Sequence, residues 1–155
     1  MADDVTIAGL RAVLEESLDE IRRGVAGLSA DELNARPAGG ETNSIAVIVT
    51  HALGATLSWL SLAMGTSPPD RDRDAEFRTI ADDGFAGWTG EMSGRCMAVL
   101  ETGPWDPARV GTPNWNPRLA SEPQTAAYAA SHALAHLGEH VGHLHMTREL
   151  LRPSG

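Results

Sequence analysis

The 155-residue chain carries 21 acidic and 12 basic residues, a net charge of −9, and a single cysteine. That length suits one domain, residues 1–155, with a core large enough to stand without cross-links, and Cys96 alone excludes an intrachain disulfide. The negative balance repels a phosphate backbone and no cluster of basic residues offers a local exception, which argues against nucleic acid as a partner.

The start, Met1-Ala-Asp-Asp, has neither the basic patch nor the apolar run of a secretory leader, so the expected location is the cytoplasm. A first helix is predicted from Asp4 to Leu28, with Ile7, Leu10, Val13, Leu14, Leu18, Ile21 and Val25 recurring at helical steps. Ser29-Ala-Asp-Glu32 has the form of a capping box, opening only a short turn before Pro37 and Gly39-Gly40. A second helix begins at Thr42 to Ser44, carries Ile45, Ile48, Val49, Leu53, Leu57 and Leu60 inward, and stops at Gly65. Its polar interruptions, Thr50, His51, Thr56, Ser58 and Ser61, suit a buried helix better than a membrane span. The following Arg71-Asp72-Arg73-Asp74 is locally neutral and reads as a solvated turn. A third helix is expected over Asp74 to Glu101, bent or broken near Asp83 to Gly90, because each interior glycine costs ~1 kcal/mol relative to alanine.

Thr102 to Glu122, with four prolines and two tryptophans, reads as a long loop of the kind that tends to carry function. The last helix is expected to open at Ser121 or Glu122 with Pro123 in its first turn, and to stop at Pro153. No repeats or strand alternation are evident. The predicted fold is all-α, an up-and-down four-helix bundle with a long loop before the last helix.

All six histidines fall on two of these helices. At about 100° per residue, His132, His136, His140 and His143 make one stripe about 80° wide beside the apolar seam, and His145 points away. An i, i+4 pair such as His136/His140 sets two ring nitrogens one turn apart, where one metal ion can bridge them. His51, mid-helix among small residues including Gly54 and Ala55, is the candidate partner across the seam. Three neutral imidazoles with one open position is the arrangement of a catalytic zinc site. Spacing alone does not choose His136/His140 over His132/His136 or His140/His143, and it equally fits a pH-sensitive or solvated face. Glu139 lies off the stripe, as a support for the ligands or facing solvent.

Trp59 is expected in the core, and Trp105 and Trp115 either at a pocket mouth or anchoring the loop. Arg109 and Arg118 are candidates for a cofactor carboxylate or for plain surface roles. Cys96 reads as a small buried hydrophobe. Thr50, Tyr128 and Ser131 are possible pocket donors.

Three stretches carry a resemblance, two of them specific. Asn43-Ser-Ile-Ala-Val-Ile-Val-Thr-His51 and His136-Leu-Gly-Glu-His140-Val-Gly-His-Leu resemble the two histidine segments of the DinB-like (DinB/YfiT-type) metalloprotein superfamily, and the Leu-Ser-Ala-Asp-Glu-Leu turn with Pro37 matches its lead-in. Where family motifs often run H-x-G-Q, this chain has Val141-Gly142-His143. The resemblance implies a four-helix bundle, often dimeric, binding zinc, nickel or another divalent ion through His51, His136 and His140. His132 and His143 would then support the ligands or line the pocket. It further implies a metal- and thiol-dependent S-transferase or isomerase acting on a small molecule, with mycothiol, bacillithiol or glutathione as thiol. The Lys-free, Ala-, Gly- and Arg-rich composition points to a GC-rich coding sequence and favours mycothiol. The alternatives are a metal-dependent hydrolase and a non-catalytic metal- or small-molecule-binding bundle.

Overall fold

The computed structural model describes residues 2–152, so the stop expected at Pro153 lies outside the described residues. In chain order come α1 (Ala2–Val25), short α2 (Ala30–Asn34), a 3-10 turn at Gly39–Glu41, α3 (Ile45–Met64), the single turn α4 (Arg73–Glu76), α5 (Phe85–Val99), two-residue strands β1 (Val110–Gly111) and β2 (Gln124–Thr125), and α6 (Ala126–Leu150). The core is four packed helices, α1, α3, α5 and α6, and the long loop precedes the last of them.

Helix α3 is the central element, packed against both α5 and α6. Only Thr50, Gly54 and Leu62 along it escape full burial, which explains an apolar run that would also suit a membrane span. Its buried hydroxyls need internal partners, and Ser58 donates to the Gly54 carbonyl at 2.9 Å. Ser44 caps its start by accepting from the Val47 N–H, and Gly65 ends it at φ 68°, where a side chain would be strained and would also strike Arg109. On α1, Leu14, Leu18, Ile21 and Val25 form the buried stripe, each contributing about 1.5–3 kcal/mol of apolar burial. Val13, expected inward, is 49 % exposed, since its neighbour Leu14 already holds the seam and Val13 points about 100° away.

The capping box at Ser29 and Glu32 is present in both directions. Two helix starts differ from expectation. The third core helix begins at Phe85, not near Asp74. Asn34 takes both backbone groups of Ala81, accepting from its N–H at 2.8 Å and donating to its carbonyl at 2.9 Å, so those groups are lost to a helix. Gly87, Gly90 and Gly94 then sit within α5 facing open space, while Phe85, Thr89, Ser93 and Cys96 hold it to the core. The last helix begins at Ala126 because Gln124–Thr125 pairs antiparallel with Val110–Gly111, and Thr125 rather than a residue beside Pro123 caps it. The loop thus contains a small ladder that no alternation foretold. Its carbonyls at Arg109 and Pro107 accept the first free N–H groups of α6.

Candidate metal centre

The pitch of α6 sets His136 and His140 one turn apart on the same face. Their Nε2 atoms lie 3.2 Å from each other. Across the seam α3 brings His51, only 7 % exposed. Ring nitrogens of His51, His136 and His140 all fall within 4.8 Å of one another. The fold therefore brings together one of the pairs that spacing left open, with His51 beside it. His132 stands outside the cluster, packed on Trp59 and Tyr128 at ring distances of 4.5 and 5.6 Å. His145 points away and pairs with Glu20 on α1.

His51 is oriented from outside the bundle core. Its Nδ1 lies 2.9 Å from Oε2 of Glu76. A carboxylate can only accept, so Nδ1 carries the proton and Nε2 keeps its lone pair. An Arg71 nitrogen also approaches Nδ1 at 3.3 Å, but it donates to Glu76 Oε2 at 2.8 Å, and the shorter contact decides. Arg71 grips both oxygens of Glu76, with Nε donating to Oε1 at 2.6 Å. Both side chains are buried, 8 and 9 % exposed. Asp72 caps α4 through the Ala75 N–H, and that single turn presents Glu76.

This reach depends on Gly54, three residues after His51. A Cβ there would sit 2.5 Å from Glu76 Oε1 and 3.3 Å from Arg71 Nε. The small residues beside His51 thus admit a polar pair as well as a neighbouring helix. The reading of Arg71-Asp72-Arg73-Asp74 as a solvated turn fails for Arg71, because the carboxylate that draws it inward lies five residues on. Glu76 is the residue sequence reasoning missed. The one available signal was a glycine one turn from a histidine in an otherwise packed helix.

On α6, His143 Nδ1 lies 3.3 Å from His140 Nδ1, so His143 can fix the His140 ring with its Nε2 lone pair free. The buried Nδ1 of His136 has no hydrogen-bond partner among the described residues. Burial, with repulsion from neighbouring rings, pushes His136 down to about 3 and His140 to about 4, the latter against a small opposing pull from Glu139. Both rings are therefore neutral near pH 7, the state a metal ligand needs. Burial likewise lowers His132. Burial alone would raise Glu76, but the hydrogen bonds from His51 and Arg71 and the Arg71 charge hold its carboxyl below the ordinary range.

The donor set fits a divalent ion of the zinc type. An edge of a tetrahedron with metal–nitrogen bonds of about 2.0–2.1 Å measures about 3.3–3.4 Å, close to the 3.2 Å between the α6 rings. With a carboxylate behind His51, the arrangement has the hydrogen-bonded backing usual for metal-bound imidazoles.

A cleft of about 560 Å³ opens beside the cluster, reaching His51 and His136 and walled by Trp59, Trp115 and Tyr128. Trp115 is both wall and anchor, edge-on to Trp59 at 5.7 Å. Arg118 and Glu139 lie on this cleft. Arg109 does not, and instead reaches the Ala63 and Pro104 carbonyls. Thr50 faces a separate cavity of about 180 Å³, and Ser131 is an exposed residue of α6. Cys96 is fully buried and its thiol is pushed up to about 12 by burial.

A protein-family model described as mycothiol-S-transferase matches residues 9–153. No curated protein matches the chain. The match covers nearly all of the sequence, and the chain belongs to the mycothiol-S-transferase family of DinB/YfiT-like proteins.

Proposed function

We propose that this member of the mycothiol-S-transferase family conjugates a small-molecule thiol of the mycothiol type to an electrophile, with His51, His136 and His140 holding a divalent ion, zinc or nickel. The observation that carries the reading is the set of three ring nitrogens within 4.8 Å of one another, opening on a cleft large enough for a cofactor and a small substrate. An ion held there supplies a Lewis acid that favours the ionised form of a thiol. The chain's own residues orient and exclude. Glu76 and Arg71 hold His51 with its Nε2 lone pair available, and His143 does the same for His140. Trp59 and Trp115 give the cleft a dry wall. In the transfer a sulfur–carbon bond forms while the leaving group departs with its electron pair, or, with an activated alkene, the thiol proton ends on the neighbouring carbon.

Cys96 cannot supply the sulfur, because it is sealed in the core and its thiolate is strongly disfavoured. A small-molecule thiol is needed, which together with a lone unpaired cysteine suits the cytoplasm. The test has two stages. Protein purified without a nickel column should carry about one ion per chain, falling several-fold in His136→Ala. Conjugation of a chromogenic electrophile should then require mycothiol. Thiol-independent turnover would favour a hydrolase, and absence of turnover across a broad panel would favour a binding protein.

A further inference from the structure

The cleft beside the histidines carries a charge pattern at odds with the rest of the chain. The protein is strongly acidic, −9 overall, yet three arginines, Arg71, Arg73 and Arg118, line this one cavity against a single acid, Glu139. Arg71 is already neutralised by its fork on Glu76. Arg73 and Arg118 are different. Arg73 stacks over the Phe77 ring at 5.2 Å, and neither guanidinium has a carboxylate partner among the described residues. Glu139 offsets one of the two, leaving a net positive charge on the cleft before any ion is counted.

An arginine held over an aromatic ring beside a cavity, with its hydrogen-bond donors unspent, is suited to forked recognition of a planar anion. The aromatic walls Trp59, Trp115 and Tyr128 suit a flat or apolar body attached to that anion. We propose that the second substrate, the electrophile, bears a carboxylate, and that Arg73 and Arg118 hold it in the cleft while its apolar part lies against the tryptophans. This rests on the S-transferase reading above and specifies its substrate class.

The test compares 4-chloro-3-nitrobenzoate with its neutral isostere 4-chloro-3-nitrobenzamide on the metal-loaded protein, read by quenching of tryptophan fluorescence and, separately, by mycothiol-dependent chloride release. The benzoate should bind roughly tenfold more tightly than the amide, and this preference should shrink toward unity in Arg73→Gln and Arg118→Gln and at high salt. Arg118→Lys should keep part of it. Circular dichroism confirms that the variants, all at exposed positions, stay folded. Equal binding of acid and amide, or a preference undiminished in both glutamine variants, would overturn the proposal, since the charge would then be read elsewhere. If the arginine-dependent preference is present but no chloride release depends on mycothiol, the acid is a bound ligand and not the electrophile, and the proposal falls; the S-transferase reading falls only if a broad panel of electrophiles also gives no turnover. If mycothiol-dependent turnover is equally fast with the amide, the transferase reading stands and the carboxylate proposal falls.

Discussion

Replacing Glu76 by alanine probes the support behind His51 more sharply than replacing a ligand. The change removes the acceptor for His51 Nδ1 and strips the carboxylate from Arg71, whose side chain is only 8 % exposed. A buried charge left without its partner costs ~3–5 kcal/mol. Arg71 borders a cavity of about 180 Å³ and can relax into it, so a smaller loss than that range, ~2–3 kcal/mol, is expected, or about 4–12 °C in Tm for a chain of this size. The larger effect falls on the ion. Loss of the hydrogen-bond partner behind a metal-bound imidazole typically weakens metal affinity by about 10–100-fold. Glu76→Gln retains an oxygen that accepts from His51 but loses the charge, and should lose about tenfold or less. Competition for zinc against a chromophoric chelator at neutral pH measures the affinities, and calorimetric melting of the metal-free form measures stability. If Glu76→Ala melts early as expected but binds zinc as tightly as the wild type, the backing role is refuted and the pair is structural only.

The metal-free protein should lose stability on acidification. His136 and His140 titrate at about 3 and 4 in the folded chain against an ordinary 6.5, so below about pH 6.5 the unfolded state takes up protons that the folded state refuses. The contribution is complete above that pH and is lost as pH falls toward the folded values, by at most ~1.4 kcal/mol per unit for each ring and less for their partial exposure. Denaturant melts of His136→Leu should show a shallower pH slope than wild type, and equal slopes would contradict the assignment. Gly54→Ala places a Cβ 2.5 Å from Glu76 Oε1, and should destabilise by ~1–3 kcal/mol and weaken zinc binding together. Loss of stability with full affinity would count against the geometry. Cys96→Ala removes packing and the weak thiol hydrogen bond to the Leu53 carbonyl, so it should cost ~1 kcal/mol and leave mycothiol-dependent turnover intact. Abolished turnover would implicate the thiol after all.

Much of the fold was legible because its signals are local. Ser29 with Glu32, Ser44 and Gly65 each announce a helix end through one side chain or one allowed backbone conformation, and the structure places the ends there. The stripe on α6 follows from pitch alone. What sequence missed depends on contacts between distant segments. Asn34 decides where α5 begins by capturing Ala81, 47 residues away, and nothing near Ala81 records it. Glu76 looks like any acid in a charged turn, and becomes special only because a glycine 22 positions earlier leaves room for its carboxylate. The choice among histidine pairs was likewise unreadable from spacing, since it depends on which turn of α6 passes His51 on α3.

The dependence of His51 on the connection between α3 and α5 has a consequence for how the ion and that segment are linked. The bundle supplies two rings from one helix and a third from another, but the third is steadied by a one-turn helix on a surface connection, a segment that opens far more cheaply than the core. Any ion that prefers the docked connection must, by reciprocity, also hold it docked, with equal free energy in both directions. Loading would thus slow amide exchange around Glu76 as surely as losing Glu76 loosens the ion.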